Sequence, residues 1–274
     1  MQIGASVSVY WNYKNHNLPA AVEHMRDMEF SCVEIVCENP FYTNWGTEGA
    51  KKERELIKES LDSCDLSVSV HAPYHDINIA SFNPGIRSEA IRQLREAVDV
   101  ASYLNAEVLV IHPGFVSSKK YPRDMVYEVL IGTLIDIADY ACGADMFIGL
   151  ENLSSNPKAL AVHSTELIKI IEDVGSKNLR VAFDVAHSNT TGIPPVDFIE
   201  ELGKLIKHVH VSDNKGSNDH LPIGVGNIDY GAVLSKLIEK DYKGFLIIEG
   251  WIPSDPDKFV KLSRDELKDL LKEL

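Results

Sequence analysis

Apolar residues along this chain come in two kinds of run. Short runs without helical spacing occur over residues 3–9, 32–37 (CVEIVC), 67–71, 107–112 (EVLVIH), 146–151 (MFIGLE), 180–184 (RVAFD), 208–211 and 245–249, and they read as strands covered on both faces. Between them lie stretches of helical period. The clearest covers 84–104, with proline in its first turn and Ile91, Leu94, Val98 and Ala101 on one face. Further helices are predicted over 18–28, 49–63, 122–142, 167–174 behind a cap at Ser164-Thr-Glu, from Pro194-Pro195 onward, 229–240 and 257–274.

Eight strand-like runs therefore alternate with helix-like runs, and short connections between parallel strands demand a helical crossover each time. The fold class this predicts is α/β, a single (β/α)8 TIM barrel forming one domain over residues 1–274. An open doubly wound sheet is the alternative. No G-x-G-x-x-G follows the first strand, so the nucleotide signature of that architecture is absent.

Composition narrows the partners. With 274 residues, 45% hydrophobic and 25% charged, the chain can bury a full core. Its formal net charge of −14 disfavours nonspecific binding to DNA or an anionic membrane surface. Cys32, Cys37, Cys64 and Cys142 form no C-x-x-C pair and read as buried free thiols of a reducing compartment. The start MQIGASVSVYW has no basic region before an apolar core, and no apolar run reaches membrane-spanning length, so a cytoplasmic protein without a membrane partner is expected. The pattern leaves the oligomeric state open.

Chemistry gathers at the strand ends. His71, His112, Glu151, Asp184, His210 and Glu249 close six consecutive strand-like runs, and in a parallel barrel all such ends converge on one mouth. A single one reads as a hydrogen-bonded structural group. Six in register, with His187 and His220 close behind, call for a cation to offset their repulsion, because unpaired buried charges are costly. His208 shares the side of His210 one layer deeper and reads as a satisfied core histidine. His16, His24 and His163 lie away from the strand ends and read as surface or capping groups, and His75 fits either role. Lys119, Lys120, Arg123 and Lys215 follow strands and would either meet a substrate phosphate or remain solvated. Aromatic side chains in the first two loops (Trp11, Tyr13, Phe41, Tyr42, Trp45) can stack on a sugar or pack locally. Trp11, Glu34, Tyr74, Lys215 and Trp251 are the candidate substrate contacts.

The fragments VHAPY, VIHPG, GLEN, FDVAH, HVHVSD, HLPIGVGNID and IIEG, in this order over residues 70–250, resemble the xylose isomerase-like barrel superfamily, which contains endonuclease IV and the sugar isomerases and epimerases. The resemblance implies a divalent metal at the C-terminal face of the barrel. In the epimerase-like branch the matching positions hold one Mn, Mg or Co ion with Glu151, Asp184, His210 and Glu249, and His187 touches substrate. Three carboxylates and one imidazole also suit a hard cation on chemical grounds. In the endonuclease branch three zinc ions use these residues with His71, His112, His187 and His220, plus an aspartate two positions before the last histidine. That place is occupied here by Asn218, with Asp219 beside it.

The acidic balance, the substitution at Asn218 and the loop HDINIASFNPGIR, which is similar to isomerase-like members, favour a sugar or sugar-phosphate isomerase or epimerase. In that reading Glu151, Glu249 and His187 are catalytic. The alternative is a zinc-dependent endonuclease acting at abasic DNA sites, with nucleic acid as partner. The third expectation is a metal- or sugar-binding barrel without turnover.

Overall fold

The computed structural model describes residues 1–10, 17–38, 47–250 and 254–274. Trp11, Tyr13, His16, Phe41, Tyr42, Trp45 and Trp251 lie outside the described residues.

Eight strands, β1 (Gln2–Ser6), β2 (Cys32–Val36), β3 (Ser67–His71), β4 (Val108–Ile111), β5 (Phe147–Glu151), β6 (Leu179–Asp184), β7 (Ile206–Val211) and β8 (Phe245–Ile248), form a closed barrel in sequence order. Every pairing is parallel, and Gln2 opposite Phe245 begins the β1–β8 seam that closes it. The intervening helices are α1 (Leu18–Asp27), α2 (Glu48–Cys64), α3 (Pro84–Leu104), α4 (Arg123–Tyr140), α5 (Ser164–Val174), α6 (Val185–Asn189), α7 (Pro195–Leu202), α8 (Tyr230–Glu239) and α9 (Pro256–Glu273). A (β/α)8 TIM barrel is therefore the fold. No described helix is long and apolar enough to cross a membrane.

Local chemistry sets the helix ends. Asn83 opens α3 by accepting from the amides of Gly85 and Ile86, and Asn105 ends it in the left-handed region at φ 59°. Glu166 reaches back from the first turn of α5 to the amides of Val162 and His163, the reciprocal contact expected of a capping sequence.

Two elements differ from the sequence reading. The first strand stops at Ser6, and residues Val7–Tyr10 tighten into a 3₁₀ turn because the Ser6 hydroxyl accepts from both the amide and the hydroxyl of Ser8. α6 follows β6 without a loop, since the Asp184 side chain accepts from the His187 amide at 2.7 Å and serves as its cap. Cys142 is also a correction: it is exposed just past α4, whereas Cys32, Cys37 and Cys64 are buried, all four being free.

Period-two alternation fills the barrel in layers. Cys32, Phe245 and Ile247 form one interior cluster, and Val108, Val110 and Ala182 another, separate from the larger core between sheet and helices. A register shift in the β6–β7 pairing between Val181 and Ala182 sets Ala182 opposite His208 and Asp184 opposite His210. Such irregularities re-aim side chains, and this one brings two polar strand ends level.

Candidate metal centre

Glu151, Asp184, His210 and Glu249, from the ends of four consecutive strands, each offer a donor atom, and these atoms all lie within 4.8 Å of one another. His210 Nδ1 stands 3.4 Å from Glu249 Oε2 and 3.5 Å from Glu151 Oε1. Asp184 Oδ2 and His210 Nδ1 are buried without any hydrogen-bond partner. Buried polar atoms are almost always satisfied, so two such atoms facing the same small space fit a shared cation. Three carboxylates and one imidazole fit a hard divalent ion.

A second group adjoins it. His71 Nε2 and His112 Nε2 lie 3.3 and 3.1 Å from Glu151 Oε2, and His187 Nδ1 lies 3.3 Å from Glu151 Oε1. Glu151 thus stands at the centre, with His71, His112 and Glu151 forming a further possible donor set. Behind it, Asn152 locks the ends of β5 and β6 by exchanging two bonds with the Asp184 backbone, of 2.8 and 2.9 Å. The Asn152 carbonyl also lies 3.0 Å from His187 Nδ1.

Surroundings drive the carboxylates apart in acidity. Burial pushes Glu249 up to about 7 against the pull of His210, and Glu151 and Asp184 add to the rise. Burial acts on Glu151 in the same sense, but His112 and His210 outweigh it and hold the group well below the carboxylate range. Asp184 is raised, chiefly by burial, although His187 opposes this. Burial disfavours the charged forms of His71 and His187, yet adjacent carboxylates bring both to about 9. His220, half-buried on the cavity wall, is depressed to about 3 by desolvation and then by the neighbouring His187.

Above the cluster opens a cavity of about 350 Å³ whose wall includes Tyr74, His112, Glu151, His187, Asn218, His220 and Glu249. Tyr74 packs against His112 and His71 with ring centroids 4.7 and 5.0 Å apart. Asn218 lines the wall, whereas Asp219 does not; the Asp219 carboxylate takes the Ser217 hydroxyl at the exposed surface. The structure therefore keeps an amide at the position where the endonuclease pattern has an aspartate.

Two expected substrate contacts sit elsewhere. Glu34 has no exposed surface and lies beneath the cluster, bonded to Ser69, His208 and His210, because its inward place on β2 is one layer below the mouth. Lys215 is exposed and does not line this cavity. Among the remaining histidines, His24 pairs with Asp257 at 2.8 Å and His75 with Glu38 at 2.6 Å. Arg123 bonds Glu166 and the Ala159 carbonyl, and Lys119 and Lys120 are exposed.

Sequence reasoning missed Lys158 and Phe115 on the cavity wall. They are brought there by an isolated bridge between Phe115 and Ala159, with Val116 N donating to Lys158 O at 2.8 Å. No periodic signal marks such a bridge. Asn152, by contrast, was visible in the fragment GLEN.

Fold and site together define a parallel (β/α)8 barrel with a carboxylate–histidine cluster at its C-terminal mouth. The sequence profile of the xylose isomerase-like TIM barrel family matches residues 22–273, and the chain belongs to that family. It is 34% identical over 275 residues, 98% of this chain and 90% of the other, to an uncharacterized protein of Methanocaldococcus jannaschii. Fructoselysine 3-epimerase of Shigella flexneri is 22% identical over 73% of either chain. A probable endonuclease 4 of Mycobacterium leprae is 26% identical over 72% of this chain and 76% of its own. Among solved structures, a D-tagatose 3-epimerase-like protein superimposes with a TM-score of 0.87 at 33% identity, covering 100% of this chain and 98% of that one. The relatives with a stated activity are thus epimerases and endonuclease 4-like enzymes.

Proposed function

We propose that this protein is a divalent-metal-dependent isomerase or epimerase of a sugar or sugar phosphate, acting by proton transfer through an enediolate. The observation that carries this reading is the meeting of Glu151 and Glu249 with Asp184 and His210 in one cluster at the floor of a cavity of sugar size. Glu151, Asp184, His210 and Glu249 would hold the ion, with Mn, Mg or Co preferred by this donor set. When bound, the ion supplies positive charge beside neighbouring substrate oxygens and makes the adjacent C–H more acidic.

The chain's own groups perform the proton transfer. One of Glu151 and Glu249 takes the proton from carbon, the electron pair of the broken C–H bond moves into the carbonyl to give the enediolate, and the other returns a proton to the opposite face. Without the ion, burial lifts Glu249 to about 7, and a bound ion would lower that value by competing with the proton. His187, held by the Asn152 carbonyl and the Asp184 carboxylate, faces the substrate oxygen on which negative charge develops.

The test is solvent deuterium incorporation into a turned-over ketose with Mn²⁺, Mg²⁺ or Co²⁺ supplied. Wild type should incorporate deuterium. Glu249→Gln should fold yet lose incorporation, since an amide can ligate but cannot serve as base. Undiminished incorporation in the variant removes Glu249 from proton transfer.

The second reading, zinc-dependent incision at abasic DNA sites, is favoured by the adjoining group of His71, His112 and Glu151, with His187 and His220 at the same mouth. Assay of an abasic duplex with and without chelator tests it.

A further inference from the structure

Beneath the cluster, a glutamate crosses the barrel interior. Glu34 on β2 and His210 on β7 are 176 residues apart in sequence, yet Glu34 Oε2 and His210 Nε2 meet at 3.2 Å. The same oxygen accepts from Ser69 Oγ at 3.1 Å and faces His208 Nε2 at 3.0 Å. Glu34 has no exposed surface and no part in the cavity wall, so substrate does not reach it. A carboxylate buried this deeply is costly unless donors meet it, and three converge here on Oε2 while Oε1 is buried without a hydrogen-bond partner.

We propose that Glu34 is the positioning residue of the metal centre: it holds His210 through Nε2–H from below and so turns the Nδ1 lone pair up toward Glu151, Asp184 and Glu249. The inference rests on reading His210 as a ligand. An imidazole has two nitrogens, and a hydrogen bond at one fixes which is left to bind a metal. His210 Nδ1 is the nitrogen within 3.5 Å of Glu151 and Glu249, and it is buried without a hydrogen-bond partner. An anionic partner at Nε2 also makes the imidazole a better donor to the ion. His208, two residues earlier on the same side of β7, braces Glu34 from one layer deeper, which gives the H-x-H spacing a function that a lone core histidine would lack.

The experiment titrates Mn²⁺ into the chelator-stripped full-length chain by calorimetry. Glu34→Gln should weaken binding by about tenfold to a hundredfold with the number of ions unchanged. Ser69→Ala removes a donor from the same oxygen but leaves the His210 contact, so it should lower the melting temperature while leaving Kd nearly unchanged. Equal affinity of wild type and Glu34→Gln overturns the proposal, as does equal weakening by Ser69→Ala, which would mean general loosening of the barrel floor. Loss of a whole ion from a two-ion wild type also overturns it, because Glu34 would then be a ligand. The proton position is read independently of any variant's folding, from ¹⁵N-histidine spectra of the Mg²⁺-loaded wild type. A proton on His210 Nε2 supports the proposal and one on Nδ1 overturns it. Failure of the underlying reading looks different: wild type would take up no ion, or Asp184→Ala would bind as well as wild type.

Discussion

Glu249 and Glu151 are chemically identical and sit in one cluster, but His112 and His210 hold Glu151 well below the carboxylate range while burial lifts Glu249 to about 7. Pairs whose environments separate their acidities are the usual arrangement for groups that exchange protons. The shift has a consequence for the metal-free protein. The folded value of Glu249 lies above its ordinary 4.5, so its stabilising contribution is complete below pH 4.5 and is lost as pH rises through about 7. In chelator, Glu249→Gln should therefore melt higher than wild type at pH 8 and lose that advantage by pH 5. Parallel melting-temperature profiles for the two proteins across this range would show that Glu249 is not the strained acid of the cluster. Binding of a divalent ion should remove the wild-type loss, because the ion competes with the proton for the same carboxylate.

At the level of elements, Asp184 has two duties: one oxygen caps α6, and the other, 3.4 Å from His187 Nδ1, faces the cluster without a hydrogen-bond partner. The two can be separated. An asparagine at this position keeps a capping oxygen and an alanine does not, so Asp184→Asn should bind the ion more weakly, through a neutral amide, with little change in stability. Asp184→Ala should lose the ion and about 1 kcal/mol of cap as well. Metal titration and denaturant unfolding of both variants check this, and wild-type affinity in Asp184→Ala excludes Asp184 as a ligand. The same residue shows how far the sequence was legible. Strand ends could be read because parallel strands are apolar on both faces, which makes a terminal Glu, Asp or His conspicuous. α6, spanning Val185–Asn189, is too short to show a helical period, so Asp184 looked like a strand end alone. The buried place of Glu34 was hidden from the sequence for a similar reason. Its partners are 35, 174 and 176 residues away, and only barrel closure brings them together. The position of His208 one layer below His210 was readable from period two, but its bond to Glu34 was not.

On the scale of the whole molecule, the epimerase and endonuclease readings share a barrel and most of a donor set, so their separation depends on charge balance. A three-zinc cluster needs several anionic ligands, and the endonuclease pattern takes one from the place of Asn218, which here is an amide-bearing residue on the cavity wall, while the Asp219 carboxylate accepts from the Ser217 hydroxyl. An amide oxygen carries no charge to set against a third divalent ion. Binding to DNA depends on releasing counterions through lysine and arginine contacts, and a net charge of −14 opposes that. The expected outcome is about one tightly held, oxygen-preferring divalent ion per chain and no incision of abasic duplex DNA. His112 and His220, on the cavity wall, then hydrogen-bond substrate, with His71 buried behind them against Glu151. Elemental analysis of protein purified without added zinc or chelator measures the first part, and a nicking assay the second. Close to three zinc ions per chain, with incision lost on chelation, would promote the endonuclease. Asn218→Asp sharpens the comparison, since restoring the carboxylate should raise zinc occupancy above that of the parent; a parent already filled at every zinc position would defeat the argument from Asn218.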